Sequence, residues 1–198
     1  MLTSDQQDLL IGGILGDCYV ERPSLNSRVL FDHSIAQLQY VEWKHAIMQP
    51  YSSPIVTYSV LDPRNGNTYN KVRFRTATSK LFNPYRELFY PNQTKIVPPN
   101  IKHLLTTELA LAVWYLDDGG LRTDCDGLRL YTNSFSYGEV VLLGELLLEN
   151  FGIASTPHKQ GKGHNLYIGT LHKQSEKFCD IIRPVVASEI PSMLYKLL

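Results

Sequence analysis

The pattern of hydrophobic and polar positions occurs twice along the chain. A nearly continuous apolar run, LLIGGILGDCYV at 9–20, resembles a second run, LALAVWYLDDGGL at 109–121. After each run, segments 29–48 and 129–148 align at an offset of 100 residues. In both, a strand-like pattern leads to a Ser followed three residues later by Gln or Glu, a capping-box signature that predicts the start of a helix. The chain is therefore predicted to contain two copies of one unit.

Each copy continues with two β-rich runs joined by a turn-rich loop, which predicts a hairpin. These runs are 54–60 and 71–78 in the first copy, and 153–159 and 164–170 in the second. We therefore predict an α+β fold of two αββαββα units, residues 1–102 and 103–198, related by a pseudo-twofold axis in one compact monomer. The apolar helices 9–17 and 109–118 are expected to pack at the centre, with two antiparallel sheets forming a saddle.

The expected ends of the two apolar helices are marked by caps and acids. Ser4 with Gln7 predicts the first N-terminus, and Thr106 or Thr107 predicts the second. Both helices are expected to end at an acid, Asp17 or Asp118. A buried packing helix is the ordinary interpretation of such a segment, but an acid at its end is costly to bury unless it is paired, hydrogen-bonded or metal-bound.

Composition narrows the class of protein. With 198 residues, of which 43% are hydrophobic, the chain can bury a full core. The three cysteines form no CxxC pair, which argues against a disulfide framework and a structural zinc site, and favours a reducing compartment. We expect no membrane segment and no targeting signal. The balance of 19 basic and 19 acidic residues means that a nucleic-acid partner would require segregated charge.

Two acids and two lysines recur at one spacing. Asp17 and Asp118 lie 101 residues apart, and so do Lys95 and Lys196. If the apolar helices pack side by side, the two acids meet, and a divalent cation relieves their repulsion. Carboxylates without His or Cys beside them suit Mg²⁺. Two acids, a metal and two lysines suit phosphodiester hydrolysis.

Basic residues are concentrated in an acid-free segment, 64–80. Alternation places Lys71, Arg73 and Arg75 on one face of a strand, which is either an ordinary solvated face or a surface for reading base edges. The other candidate contact residues are Arg28, Arg122, Arg129, Tyr131, Asn133, His158, Lys159, Lys162 and His164. Acids on the helices of the opposite side would balance this charge. They include Glu42, Glu139, Glu145 and Glu149.

At these residues the chain resembles the LAGLIDADG homing endonucleases, specifically single-chain members with two motifs. The resemblance covers nearly the whole chain and implies that Asp17 and Asp118 are the catalytic, metal-binding acids. It implies active-site roles for Lys95 and Lys196. Cys18 departs from the Gly or Ala that often follows the first acid. The family implies Mg²⁺, with Mn²⁺ as a substitute and Ca²⁺ supporting binding without cleavage.

The resemblance further implies a staggered cut in double-stranded DNA at a long asymmetric site, in a prokaryotic cytoplasm or an organelle. Alternatives are an RNA maturase that binds intron RNA, a cleavage-inactive DNA-binding protein of the same fold, and a structural protein whose acids only end helices. Asp117 is interpreted as a solvent-facing carboxylate, because Gly16 occupies its equivalent place. The histidines are expected to pack, cap or touch DNA.

Overall fold

The computed structural model describes residues 1–198 and has a mixed α+β architecture with two four-stranded antiparallel sheets. The first half contains α1 (Ser4–Leu15), β1 (Tyr19–Glu21), β2 (Arg28–Ser34), α2 (Leu38–Ile47), β3 (Val56–Leu61), β4 (Thr68–Arg75) and α3 (Asn83–Phe89). The second half contains α4 (Glu108–Asp118), β5 (Gly119–Leu121), β6 (Leu128–Leu130), α5 (Tyr137–Phe151), β7 (Thr156–Gln160), β8 (Gly163–Ile168) and α6 (Gln174–Glu189). The predicted fold class is confirmed. The division between residues 102 and 103 stays a prediction.

Both sheets have the same strand order. In the first sheet the order is β1-β2-β4-β3, and in the second it is β5-β6-β8-β7. Alternating side chains on β2 and β4, such as Phe31 and Phe74, are buried and stack with ring centroids 4.5 Å apart. Their neighbours along each strand face the other way. One face of each sheet therefore packs on the core, and the other is free for a partner.

The two apolar helices, α1 and α4, pack directly against each other. A Cβ added at Gly12 would lie 2.3 Å from the carbonyl oxygen of Ala110, and one added at Gly16 would lie 2.4 Å from the Cβ of Asp117. Every residue of α4 from Ala110 to Leu116 is buried. Glycine at positions 12 and 16 thus allows the close approach that brings the two helix ends together.

Gly12→Ala is expected to destabilise the protein because the added methyl group would collide with backbone, which cannot rotate away. Overpacking of this kind costs about 1–3 kcal/mol. Urea unfolding of Gly12→Ala against wild type measures the loss. Gly138→Ala is the matched control, since Gly138 is also helical and a Cβ there has no neighbour within 4 Å. Equal stability of the Gly12→Ala variant and wild type would contradict the close packing of α1 on α4.

Some predicted helix ends differ from those observed. Thr3, not Ser4, is the N-cap of α1, and the capping box is completed by Gln6 rather than Gln7. The side chain of Gln6 is also hydrogen-bonded to the carbonyl groups of Ile47 and Gln49, and this tertiary contact selects the register. The box predicted for α5, Ser136 with Glu139, is present.

The C-terminal ends of the two central helices also differ. Helix α1 ends at Leu15 with Gly16 as its C-cap, two residues before Asp17, whereas α4 ends at Asp118 as expected. Glycine readily leaves helical geometry, and the amide of Cys18 is hydrogen-bonded 2.8 Å from the carbonyl oxygen of Gly13. The acid of the first half therefore lies on a short link between α1 and β1.

None of the helices combines the length and the apolar character that crossing a membrane requires.

Candidate active site

The adjoining ends of α1 and α4 bring Asp17 and Asp118 into one electrostatic site. Burial raises the pKa of Asp17 to about 6, and the charge of Asp117 adds to this effect. Burial raises the pKa of Asp118 to about 7, and the charge of Asp17 adds to it. The Asp17 side chain is still 44% exposed. The site thus holds two accessible carboxylates whose ionised forms are disfavoured in the free protein.

Lys95 and Lys196 occupy corresponding places at the ends of these helices. The Lys95 Nζ donates to the carbonyl oxygens of Gly16 at 2.7 Å and Leu15 at 3.2 Å. The Lys196 Nζ donates to those of Leu116 at 2.7 Å and Gly119 at 3.1 Å. These carbonyls form the negative end of the helix dipole, so each ammonium group is fixed and partly neutralised by its own helix.

The electrostatic influence of the lysines crosses between the two halves. Burial lowers the pKa of Lys95, and the charge that opposes this most strongly is that of Asp118 on the other helix. Burial likewise lowers the pKa of Lys196. The pKa of Asp17 is changed most by burial and by the charges of Asp117 and Lys44. Of the two capping lysines, Lys196 lowers it more than Lys95 does. Of the two lysines that cap these helices, the one on the opposite helix therefore has the larger effect on the pKa of each acid.

Asp117 does not face solvent, and that prediction is wrong. Its side chain is fully buried, with Oδ1 accepting hydrogen bonds from the Lys44 Nζ at 2.6 Å and the Tyr40 hydroxyl at 2.8 Å. Burial alone would raise the pKa of Asp117, but the Lys44 charge together with the other charged and hydrogen-bonding neighbours outweighs it, and the pKa lies below its ordinary value. Gly16 at the equivalent place does not make Asp117 superfluous, because Asp117 fills the space that Gly16 leaves.

His33 joins the same buried group. Its Nε2 lies 3.1 Å from the Lys44 Nζ, and its Nδ1 lies 3.6 Å from the Asp17 Oδ2. Burial and then the Lys44 charge lower the pKa of His33 to about 4, so the ring is neutral at neutral pH. Lys44 and Tyr40 were not predicted from the sequence to belong to this site. One signal was available, since Lys44 follows Tyr40 by one helical turn and falls on the buried face of α2.

The donor set fits a divalent cation held by Asp17 and Asp118. Ligand atoms of Asp17, His33 and Asp117 also lie within 4.8 Å of one another. Both oxygens of Asp117, however, already accept hydrogen bonds, one of them from an ammonium group that would repel a cation. The remaining carboxylates, those of Asp17 and Asp118, are hard oxygen ligands. A bound cation would stabilise their ionised forms and so lower their raised pKa values.

The outer face of the first sheet carries the predicted basic row of Lys71, Arg73 and Arg75, while Val72 and Phe74 between them are buried. The guanidinium of Arg73 lies 4.2 Å from the centre of the Tyr58 ring. The three basic side chains therefore lie together on one face of this sheet.

Two acids lie on the same face, in addition to those on the helices. Glu21 forms ion pairs with Arg28 and with Arg75, the latter at 3.3 Å, and Asp32 pairs with Lys71 at 2.7 Å. The expectation that helix acids balance the charge was therefore incomplete. These carboxylates hold the basic side chains in defined directions and reduce the net charge of the surface.

The second sheet divides its candidate contact residues between two faces. Arg129 shares a face with Tyr167 and His158, whose rings stack at 4.7 Å. Strand register places Lys159 and His164 on the opposite, helix-facing side, and the His164 ring lies 4.9 Å from that of Tyr137. By this register, the two residues alternate with Arg129 and His158 and occupy the other face of the sheet.

The other candidates of this half lie at the edges of the same outer surface. Tyr131 and Asn133 are exposed beyond the end of β6, and Lys162 is exposed in the β7–β8 turn. Arg122 pairs with Asp124, and its guanidinium lies 5.3 Å from the Tyr167 ring centre. A polar cavity of about 250 Å³ opens here, lined by Arg129, His158, Lys159, Gln160 and Asn165.

The two halves are similar and meet at the ends of α1 and α4, where two acids and two lysines lie together. This arrangement defines a class of duplicated α+β proteins with one central acidic site. The LAGLIDADG DNA endonuclease family matches residues 7–178, and the chain belongs to this family. The predicted resemblance is thereby confirmed.

Relatives support the assignment along the whole chain. The probable intron-encoded endonuclease 1 of Wickerhamomyces canadensis is 30% identical, covering 100% of this chain and 85% of the relative. The cytochrome b mRNA maturase bI2 of Debaryomyces hansenii is 30% identical, covering 99% of this chain and 74% of the relative. The structure of the homing endonuclease I-WcaI bound to its DNA recognition sequence superposes with a TM-score of 0.89 at 29% identity, covering 100% of this chain and 88% of that one.

Proposed function

We propose that this chain is a monomeric, site-specific homing endonuclease that hydrolyses both strands of double-stranded DNA at a long asymmetric site, leaving staggered ends. The observation that carries the proposal is the central group of Asp17, Asp118, Lys95 and Lys196, which lies at the junction of two sheets with open outer faces. The similar fold of I-WcaI with its DNA recognition sequence supports double-stranded DNA as the partner.

Asp17 and Asp118 are proposed to hold Mg²⁺, with Mn²⁺ as a substitute and Ca²⁺ supporting binding without cleavage. Bound Mg²⁺ supplies Lewis-acid stabilisation of negative charge on the scissile phosphate. Lys95 and Lys196 add positive charge to the same place. Because their ammonium groups are already fixed on helix carbonyls, little reorganisation is needed when the charge of the transition state develops.

The outer faces of the two sheets are proposed to bind the DNA, with residues 1–102 contacting one half of the site and residues 103–198 the other. Arginine and lysine on strands can contact guanine edges in the major groove, and His, Asn and Tyr can add further base or phosphate contacts. The ion pairs of Glu21 and Asp32 pre-orient the basic row and limit non-specific attraction to phosphates. A neutral protein can thus bind DNA selectively.

Arg73→Ala and Arg75→Ala are each expected to weaken binding of the target by about 1–3 kcal/mol and to relax specificity at particular base pairs. The reason is that both guanidinium groups are directed on the outer face by Tyr58 and Glu21. Binding to single-base variants of the target, measured in Ca²⁺, tests this. Lys102→Ala is the control, since Lys102 pairs with Glu145 and Glu149. A uniform loss across all sequences would reassign the arginines to phosphates.

The function itself is tested by incubating the protein with a randomised double-stranded DNA library and Mg²⁺, and sequencing the cut ends. We expect one long site with staggered ends, and no cutting when Ca²⁺ replaces Mg²⁺. Selective retention of one sequence without any cutting, in Mg²⁺ or Mn²⁺, would instead identify a cleavage-inactive DNA-binding protein.

A second candidate function is that of an RNA maturase, favoured by the 30% identity to a maturase across 99% of this chain. The same surface, or a separate one, would then bind intron RNA. Splicing of the transcript that contains this reading frame, with and without the protein, decides the matter. A maturase that also cuts DNA would show both activities.

A further inference from the structure

A ring of buried polar groups surrounds Asp17. Asp117 accepts the backbone N–H of Asp17 on Oδ2 at 3.3 Å, while its Oδ1 accepts the Lys44 Nζ at 2.6 Å. The Lys44 ammonium group is a donor only, so the nitrogen of His33 that it contacts at 3.1 Å, Nε2, must be the acceptor. The proton of the neutral ring is therefore on Nδ1.

The Nδ1–H of His33 closes the ring. This N–H donates to the Oε1 of Gln37, with 3.2 Å between the heavy atoms, and the same nitrogen lies 3.6 Å from the Oδ2 of Asp17, a contact without a hydrogen bond. Asp17 is thus contacted at two points, on its backbone amide by Asp117 and beside its carboxylate by His33. A shift of either contact would move the carboxylate.

The second half has no equivalent of this ring. At the offset of 100 residues that aligns the two units, His33 corresponds to Asn133, which is exposed, and Lys44 corresponds to Gly144. The buried side chains of α5 are all apolar. At the offset of 101 residues that relates Asp17 to Asp118, the position that corresponds to Asp117 is Gly16, which has no side chain. Asp118 therefore has no buried group of Asp, Lys and His of this kind beside it.

We propose that Asp117, Lys44 and His33 are positioning residues that hold Asp17, and only Asp17, in its place in the active site. The proposal rests on the endonuclease function proposed above. A buried ion pair is weak support for stability, because apolar side chains of similar volume commonly stabilise a fold as well or better. What apolar residues could not do is accept the N–H of the Asp17 backbone amide and place a polar ring nitrogen beside its carboxylate.

Two variants separate positioning from simple structural support. Lys44→Met/Asp117→Leu removes both buried charges together, leaves no unpaired charge behind and removes the acceptor of the Asp17 amide, and His33→Gln removes the contact beside the carboxylate while the ion pair stays. Lys102→Met, which breaks a surface ion pair, is the matched control. Thermal unfolding and DNA binding in Ca²⁺ establish that each variant is folded.

The first readout is amide hydrogen exchange without DNA or metal. In the double variant the Asp17 amide is expected to exchange at least about 10-fold faster, with the Asp118 amide unchanged. The second readout is strand-resolved cleavage in a single turnover. Both variants are expected to slow one strand about 10–100-fold more than the other, at nearly constant DNA affinity, while Lys102→Met changes neither rate.

Unchanged Asp17 exchange in the folded double variant, or equal slowing of both strands, would overturn the proposal. If the double variant does not fold, the strand rates of His33→Gln decide. If the wild-type protein cuts no DNA, the proposed function fails, while hydrogen exchange at Asp17 still decides whether the ring positions this residue.

Discussion

Asp17→Asn and Asp118→Asn are each expected to abolish double-strand cleavage, with a loss of roughly 10³-fold or more, while DNA binding in Ca²⁺ is largely preserved. Asp17 lies on the link after α1 and Asp118 at the end of α4, and the basic row is paired with Asp32 and Glu21 instead, so we expect the charge of the two acids to serve the metal rather than the recognition surface. Single-turnover cleavage and binding in Ca²⁺ measure the two effects separately. Full cleavage by either variant would overturn the assignment. Loss of binding together with cleavage would show that the acids are structural.

The same variants carry a pH-dependent effect on stability. The folded-state pKa values of about 6 for Asp17 and about 7 for Asp118 lie above the ordinary value of 3.8. Between these limits the folded protein binds more protons than the unfolded chain, so its stability falls as the pH rises. Without metal, Asp118→Asn is expected to raise the free energy of unfolding at pH 8 by on the order of 1 kcal/mol and to change little at pH 4.

Urea unfolding at the two pH values measures this gain. Asp180→Asn is a suitable control, because Asp180 is a surface acid whose side chain is 74% exposed. A gain of the same size at pH 4 would show that charge is not its cause. Added Ca²⁺ should narrow the difference, since a bound cation relieves the same repulsion in the wild-type protein.

Lys95→Met and Lys196→Met are expected to slow the chemical step about 10²–10³-fold while binding changes far less. A cation directed at developing charge acts chiefly in the transition state. Each lysine is fixed on one helix; of the two active-site acids, Lys95 interacts more strongly with Asp118 and Lys196 with Asp17, so each should serve a different scissile phosphate. We therefore expect nicked intermediates that are cut on opposite strands in the two variants.

Strand-resolved kinetics on an end-labelled target test this expectation. Lys80→Met provides a control lysine outside the central site. A cleavage rate that hardly changes would defeat the proposed role of the lysines. Slowing of the same strand in both variants would show that their pseudo-twofold placement is wrong, even if the endonuclease proposal held.

The repeat determined most of what could be predicted without coordinates. The apolar runs, the capping signals and the hairpin patterns are local, and together they were enough for the α+β class and the order of elements. The equal spacing of Asp17 with Asp118 and of Lys95 with Lys196 could also be recognised in the sequence, because duplication preserves distances along the chain. The spacing alone therefore predicts these four residues as the candidate site.

Tertiary structure decided how the two halves differ. Periodicity can show that a position is buried, but not which distant group meets it there. Asp117 and Lys44 are 73 residues apart, and their pairing arises only because α2 packs beside the junction of α1 and α4. The sorting of Lys159 and His164 away from the outer face likewise depended on strand register. The sequence by itself determined the duplicated fold and the four charged residues at its centre. Long-range packing determined which buried groups surround Asp17 in the first half alone. The physical reason is that a buried charge is stable only beside the partner that the fold supplies.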